Sequence, residues 1–203
     1  MDNNSPILVV SRHRHEAAES CAVAPQLAEK FNVNVLDIPL LYDFPPDHTI
    51  IERLRGLSKP AYFLLPISQR SAKKLLNDLR IPFAEVFETH ETVQIPDGGI
   101  SDGQVERFDD TPSPRWYPII DGSQCSACLE CVNYCLFGVY AIGNDSRPFV
   151  DQPDACRDGC PACARVCPSQ AIMFPLYEDR VIAGYEQPSM DDMSNLVDLV
   201  DQI

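Results

Sequence analysis

Eight of the nine cysteines in this chain of 203 residues lie between positions 125 and 167, and their thiols are the groups best able to do chemistry. They form two groups with the spacing Cys-x2-Cys-x2-Cys-x3-Cys, except that the second group has one extra residue after its first cysteine. The first group is Cys125, Cys128, Cys131 and Cys135, and the second is Cys156, Cys160, Cys163 and Cys167. A tight loop with a cysteine at every third position gathers thiolates around one small volume, so the spacing predicts metal or cluster ligands.

This spacing is typical of bacterial ferredoxins with two 4Fe-4S clusters, and residues 117–176 resemble that family. Three thiolates of one loop hold three iron corners of a cubane, and the fourth cysteine of the run ligates the other cluster. The resemblance therefore implies two crossed ligand sets. Cluster one takes Cys125, Cys128, Cys131 and Cys167, and cluster two takes Cys156, Cys160, Cys163 and Cys135.

Disulfide bonds and zinc sites are the alternative interpretations of these cysteines. Disulfides suit short secreted domains, and no secretory leader is recognisable before Ser5. Zinc knuckles usually supply two cysteines each, whereas three crowd one loop here. The pattern favours clusters over both alternatives. Cys21 lies outside it, on a predicted helix, and is expected to be a small buried hydrophobic residue.

The resemblance implies two halves related by a pseudo-twofold axis, each with a strand, a cysteine loop, a helical turn and a second strand. The chain departs from the family at two points. Leu136 follows Cys135 where proline is usual, and the run Arg157–Gly159 adds one residue between two cysteines. Neither departure removes a ligand, but both affect the hydrogen bonding that sets reduction potentials.

The formal net charge of −14 is concentrated in the second half of the chain. Residues 1–80 carry ten Lys and Arg against nine Asp and Glu, while residues 81–203 carry six against twenty-one. The cysteine-bearing part should therefore repel nucleic acid and favour partners with basic surfaces. No apolar run is long enough to span a membrane, and we expect a cytoplasmic protein.

Residues 1–82 are predicted to form an α/β domain, because short apolar runs alternate with helical patterns, which favours a parallel sheet. The whole chain is thus expected to be α+β. Pro25 is expected to interrupt the first helix. The predicted order is strand 7–10, helix 16–31, strand 33–41, helix 49–57, strand 61–65 and helix 68–79.

A basic loop, from Arg12 to His15, follows the first predicted strand, where open α/β sheets bind anions and cofactors. It is either a phosphate or carboxylate site or a solvated loop, and the lack of a Gly-rich cradle favours the solvated loop. The element order over about 70 residues is weakly similar to the small sirohydrochlorin-chelatase fold, whose first strand also precedes a histidine-bearing loop. No chelatase residue is transferred, because the likeness rests on element order alone.

Residues 83–116 are predicted to be an irregular acidic connector, because turn-forming Pro, Gly and Asp recur through them. Within the connector, Thr92–Ile95 and Gln104–Phe108 are predicted to pair as a small hairpin. Residues 177–203 form an acidic tail, and apolar residues between Met193 and Ile203 at helical spacing predict an amphipathic helix. This helix would pack on its own chain or dock a partner.

The leading hypothesis is electron transfer, in which single low-potential electrons pass through two 4Fe-4S clusters between protein partners. No catalytic residue is identified. A dry apolar shell around the clusters is predicted from Ile120, Val132, Ile142, Val166 and Ile172. The alternatives are an enzyme component whose α/β domain binds a small molecule, and a subunit whose α/β domain docks to a larger redox complex.

Overall fold

The computed structural model describes residues 7–14, 23–95, 103–110 and 112–186. The first unit contains strands β1 (Ile7–Ser11), β2 (Asn34–Ile38), β3 (Ala61–Leu65), β4 (Phe83–Glu88) and β5 (Val105–Arg107). They form one parallel sheet in the order β4-β3-β1-β2-β5. The connections between the first four strands contain α1 (Val23–Phe31), α2 (Thr49–Arg55) and α3 (Gln69–Asp78). The predicted α/β architecture with a parallel sheet is confirmed.

Side chains alternate between the two faces of the sheet, and each face has its own hydrophobic core. Leu8 and Val10 of β1 belong to the core that includes Leu27 of α1. Val9 belongs to the opposite core, with Leu76 of α3. Both faces of the sheet are therefore covered by helices, as a buried parallel sheet requires.

The connector predicted to be irregular supplies two strands of the sheet, so that prediction is wrong for β4 and β5. The predicted hairpin is also wrong, since Val105 pairs in parallel with Val35 of β2 and the stretch Thr92–Ile95 forms no strand. Val35 N donates to Gln104 O over 2.8 Å, and Gln104 N donates to Asn34 Oδ1 over 3.1 Å. The edge of β2 needs partners for its backbone groups, and distant residues supply them.

The second unit contains the elements expected on both sides of each cysteine loop. They are β6 (Ile119–Ile120), α4 (Glu130–Tyr134), β7 (Tyr140–Ile142), β8 (Pro148–Val150), α5 (Ala162–Val166) and β9 (Ile172–Met173). Strand β6 pairs antiparallel with β9, and β7 pairs antiparallel with β8. The first strand of the unit is therefore joined to its last, which brings the two cysteine groups side by side.

Specific contacts fix the second unit against the sheet domain. The rings of Tyr42 and Tyr117 stack with centroids 4.3 Å apart. Tyr117 N donates to Tyr42 Oη over 2.8 Å, and Tyr117 Oη donates to Tyr42 O over 3.1 Å. Arg70 of α3 forms an ion pair with Asp121 at 2.8 Å and donates to Gln170 O over 3.0 Å. The two units are thus joined by ring stacking, hydrogen bonds and an ion pair.

A segment beyond the last strand returns to the sheet domain at the carboxyl end of β3. Ser68, the N-cap of α3, and Ser71 both donate to Ala183 O, over 3.0 and 2.8 Å. Gly184 is packed so closely that an added Cβ would lie 2.4 Å from Ser71 Oγ. Ligands of open α/β sheets commonly bind at this end of the strands. Here residues of the second unit occupy that position.

Two predicted elements fall partly or wholly outside the described residues. Helix α1 begins at Val23 with Pro25 in its first turn, a position that favours proline, while the earlier part of that predicted helix, with Cys21, lies outside. The predicted tail helix lies outside as well. No helix in the described ranges is long and apolar enough to cross a membrane.

Candidate cluster-binding site

The two cysteine loops adopt backbone conformations that suit the binding of an anionic ligand. In the first loop Ala127 and Leu129 have φ of 57° and 61°, and Leu129 is the N-cap of α4. In the second loop Gly159 has φ of 71°, while Pro161 precedes α5 with φ of −102°. Left-handed residues within a tight loop turn successive N–H groups toward one side, which creates an anion-binding concavity of the kind found at iron–sulfur sites.

The eight thiols surround two separate cavities. One cavity, of about 450 Å³, is lined by Cys135, Cys156, Cys160 and Cys163. The other is lined by Cys125, Cys128, Cys131 and Cys167. Each cavity is thus lined by three cysteines of one loop and one cysteine of the other group. The second cavity is small, with a volume of about 10 Å³.

The thiols differ in exposure, and burial raises the pKa of three of them. Cys131 and Cys163 are buried, at 6% and 8% exposure, whereas Cys128 is exposed. Burial, with smaller contributions from neighbouring thiols, raises the pKa of Cys131 to about 11 and that of Cys156 to about 12. Burial likewise raises the pKa of Cys163 to about 11. Iron bound at these sites would therefore have to displace the protons of the thiols.

The side chains are not arranged as disulfides or as ligands of one shared ion. All eight thiols are free. Within the described ranges, no three or more His, Cys, Asp or Glu side chains are close enough to hold a metal ion. A structural zinc needs its thiolates about 2.3 Å from one point, whereas the thiolates of a cubane bind four different irons and stand farther apart. Four thiols line each of the two cavities, which is the number that ligates one 4Fe-4S cluster.

Several neighbours of the thiols can orient them or exclude water. Ala171 N donates to Cys167 Sγ over 3.3 Å. The indole of Trp116 donates to Cys160 O over 3.3 Å and stacks on Phe174 at 5.1 Å between centroids. No local pattern indicates this role of Trp116, because the role depends on the second loop folding back over the start of the unit.

The predicted apolar shell is only partly present. Ile120 and Ile172 are buried in the core of the second unit, and Val132 packs against that core. Val166 is half-buried. Ile142 is 51% exposed, so its assignment to the shell is wrong. It pairs with Pro148 at the end of the β7–β8 ladder.

The basic loop after β1 binds carboxylates of its own chain, so the preferred interpretation of a solvated loop is wrong for its two arginines. Arg12 is 5% exposed, with Nε 3.1 Å from Asp37 Oδ1, and donates to Phe108 O over 2.7 Å. Arg14 donates from Nε to Asp43 Oδ2 over 2.9 Å. A buried carboxylate is costly without a cation, which explains why the arginines fold inward. His15 lies outside the described residues.

Comparison with known proteins gives one relative of this chain. No family model matches it. Over 138 residues the chain is 30% identical to an uncharacterized ferredoxin of Methanocaldococcus jannaschii, and the alignment covers 61% of this chain and 91% of that protein. Together with the cysteine-rich second unit, this similarity shows that the chain belongs to the ferredoxin family of that protein.

Proposed function

We propose that this protein carries single electrons at low potential between protein partners through two 4Fe-4S clusters. The observation that supports it most is the division of the eight thiols between two cavities, each with four cysteines. Ligation by four cysteines is the usual way in which proteins hold such clusters. Membership of a ferredoxin family supports the same chemistry.

The proposed ligands follow the two cavities, and bound clusters would supply one-electron redox chemistry there. Cluster one is assigned to Cys125, Cys128, Cys131 and Cys167, and cluster two to Cys135, Cys156, Cys160 and Cys163. The other residues of the chain position these thiols and keep water away from them. The backbone N–H of Ala171 donates a hydrogen bond to Cys167, one of the proposed ligands of cluster one. The buried side chains of Ile120 and Ile172 line the same cavity.

We further propose that residues 117–176 form the ferredoxin-like domain, with two halves related by a pseudo-twofold axis. The pairing of β6 with β9 and of β7 with β8 supports this arrangement. The preceding α/β unit acts as a rigid platform and extends through β5 at Arg107, beyond the boundary at residue 82. Ala183 and Gly184 occupy the carboxyl end of β3, which favours a platform over a small-molecule enzyme.

The partner of the carrier is proposed to have a basic surface, and cluster two is proposed to be its contact point. Exposed Asp158 lines the larger cavity, and two more exposed acids, Asp151 and Asp154, lie close by in sequence. Leu136 and Phe137 line the same cavity and are 90% and 41% exposed. A second copy of the chain would bring another charge of −14, which disfavours self-association.

The test is analysis of iron and acid-labile sulfide in protein purified or reconstituted under anaerobic conditions. Two complete ligand sets predict eight irons and eight sulfides per chain. About four of each would mean that only one cluster is held. Two tightly bound zinc ions without sulfide would instead contradict the proposed electron transfer.

A further inference from the structure

Tyr140 places a polar group inside the core of the second unit. Its side chain is 8% exposed and belongs to the cluster of buried residues that also contains Cys131 and Cys163. Its hydroxyl is fully buried and has no hydrogen-bond partner among the residues that the structure describes. A buried hydroxyl without a well-placed acceptor costs about 1–3 kcal/mol, so a sulfur acceptor beside it would be stabilising.

Cysteines of both ligand sets surround this side chain, since Cys131 and Cys163 belong to the same buried cluster as Tyr140. Tyr140 also lines the larger cavity, together with Cys135 and Cys163. A tyrosine hydroxyl carries its proton at neutral pH and can donate one hydrogen bond to an anionic sulfur.

We propose that the Tyr140 hydroxyl donates a hydrogen bond to sulfur at the cluster-two site, at the Cys163 thiolate or an adjacent sulfide. This hydrogen bond raises the reduction potential of cluster two. The inference rests on the proposed function. Reduction adds one negative charge to the cluster, so a hydrogen-bond donor at sulfur stabilises the reduced form more than the oxidised form. Tyr140 is thus a positioning residue that tunes the potential of cluster two.

The test is Tyr140→Phe, which removes one oxygen and keeps the ring in the core. We expect the equilibrium constant for reduction of cluster two to fall about tenfold, which is about 59 mV for one electron, with a smaller change at cluster one. The two midpoint potentials are read from redox titrations followed by electron paramagnetic resonance. The matched control is Tyr62→Phe, because Tyr62 lies on β3 of the sheet domain and lines neither cysteine cavity. It should leave both potentials unchanged.

A stronger hydrogen-bond donor at position 140 provides the opposite test. It also keeps the proposal testable if the Tyr140→Phe protein fails to bind its clusters. Incorporation of 3-fluorotyrosine at position 140 should shift the potential of cluster two upward, because the fluorinated hydroxyl is more acidic. Unchanged potentials in a fully loaded protein, with eight irons, would overturn the role of Tyr140 and leave the proposed function intact. Fewer than eight irons in the unaltered protein would instead overturn the proposed function itself.

Discussion

Replacement of Gly184 by alanine tests whether the returning segment locks the two units together. Gly184 is buried with φ of 92°, a conformation that residues with a side chain rarely adopt. Its added Cβ would lie 2.4 Å from Ser71 Oγ, 2.7 Å from Met173 Sδ and 2.8 Å from Ser68 Oγ. These atoms belong to both units, so the new methyl group must push the units apart or displace the segment.

The expected loss of stability has two parts. The positive φ costs about 1–2 kcal/mol, and overpacking of a close-packed site costs about 1–3 kcal/mol more. The sum, about 2–5 kcal/mol, corresponds to a fall in melting temperature of about 4–20 °C for a chain of this size. The assay is thermal and urea unfolding of the cluster-loaded protein under anaerobic conditions, followed by circular dichroism.

Gly138→Ala is the matched control, because Gly138 has φ of 68° but an added Cβ there meets nothing within 4 Å. It should lose only the backbone part, about 1–2 kcal/mol. Gly122→Ala, with no positive φ and open space, should be nearly neutral. If Gly184→Ala were no less stable than Gly138→Ala, the returning segment would not be packed as described, and the rigid-platform interpretation would fail.

Two further predictions concern the ligands and the partner surface. Cys135→Ser should damage the cluster held mainly by the second loop, and Cys167→Ser the cluster held mainly by the first, as seen in the separate signals of the reduced protein. If each substitution damaged only the cluster held by the loop of its own cysteine group, the crossed ligand sets would be contradicted. Electron transfer to a basic cytochrome c should slow as salt rises, because screening over about 8 Å at physiological ionic strength weakens the encounter. Asp158→Lys should weaken that salt dependence, while Glu29→Lys, the same change on α1, should leave it nearly intact. A rate that stays flat with salt would favour a permanent apolar interface, such as a subunit of a larger complex has.

The spacing of the cysteines and the alternation of apolar runs are local patterns that can be interpreted from the sequence. Strand β3 occupies the predicted residues 61–65, and α3 lies within the predicted helix 68–79. The cysteine spacing, through its resemblance to ferredoxins, predicts two ligand sets, and that assignment stays a prediction. Such features depend on neighbours within a few residues, where periodicity and ligand spacing carry the information.

Tertiary structure alone decided the features that join distant parts of the chain. Strand β5 pairs with β2 because that edge needs backbone partners, although the turn signals around β5 favoured a local hairpin. Arg12 folds inward because Asp37 is buried 25 positions later, and no local pattern reveals that neighbour. Tyr140 acquires its proposed role only because β7 places it in one buried cluster with cysteines from both groups. In each case the physical cause is the cost of burying a polar group without a partner, and the partner is supplied by the fold.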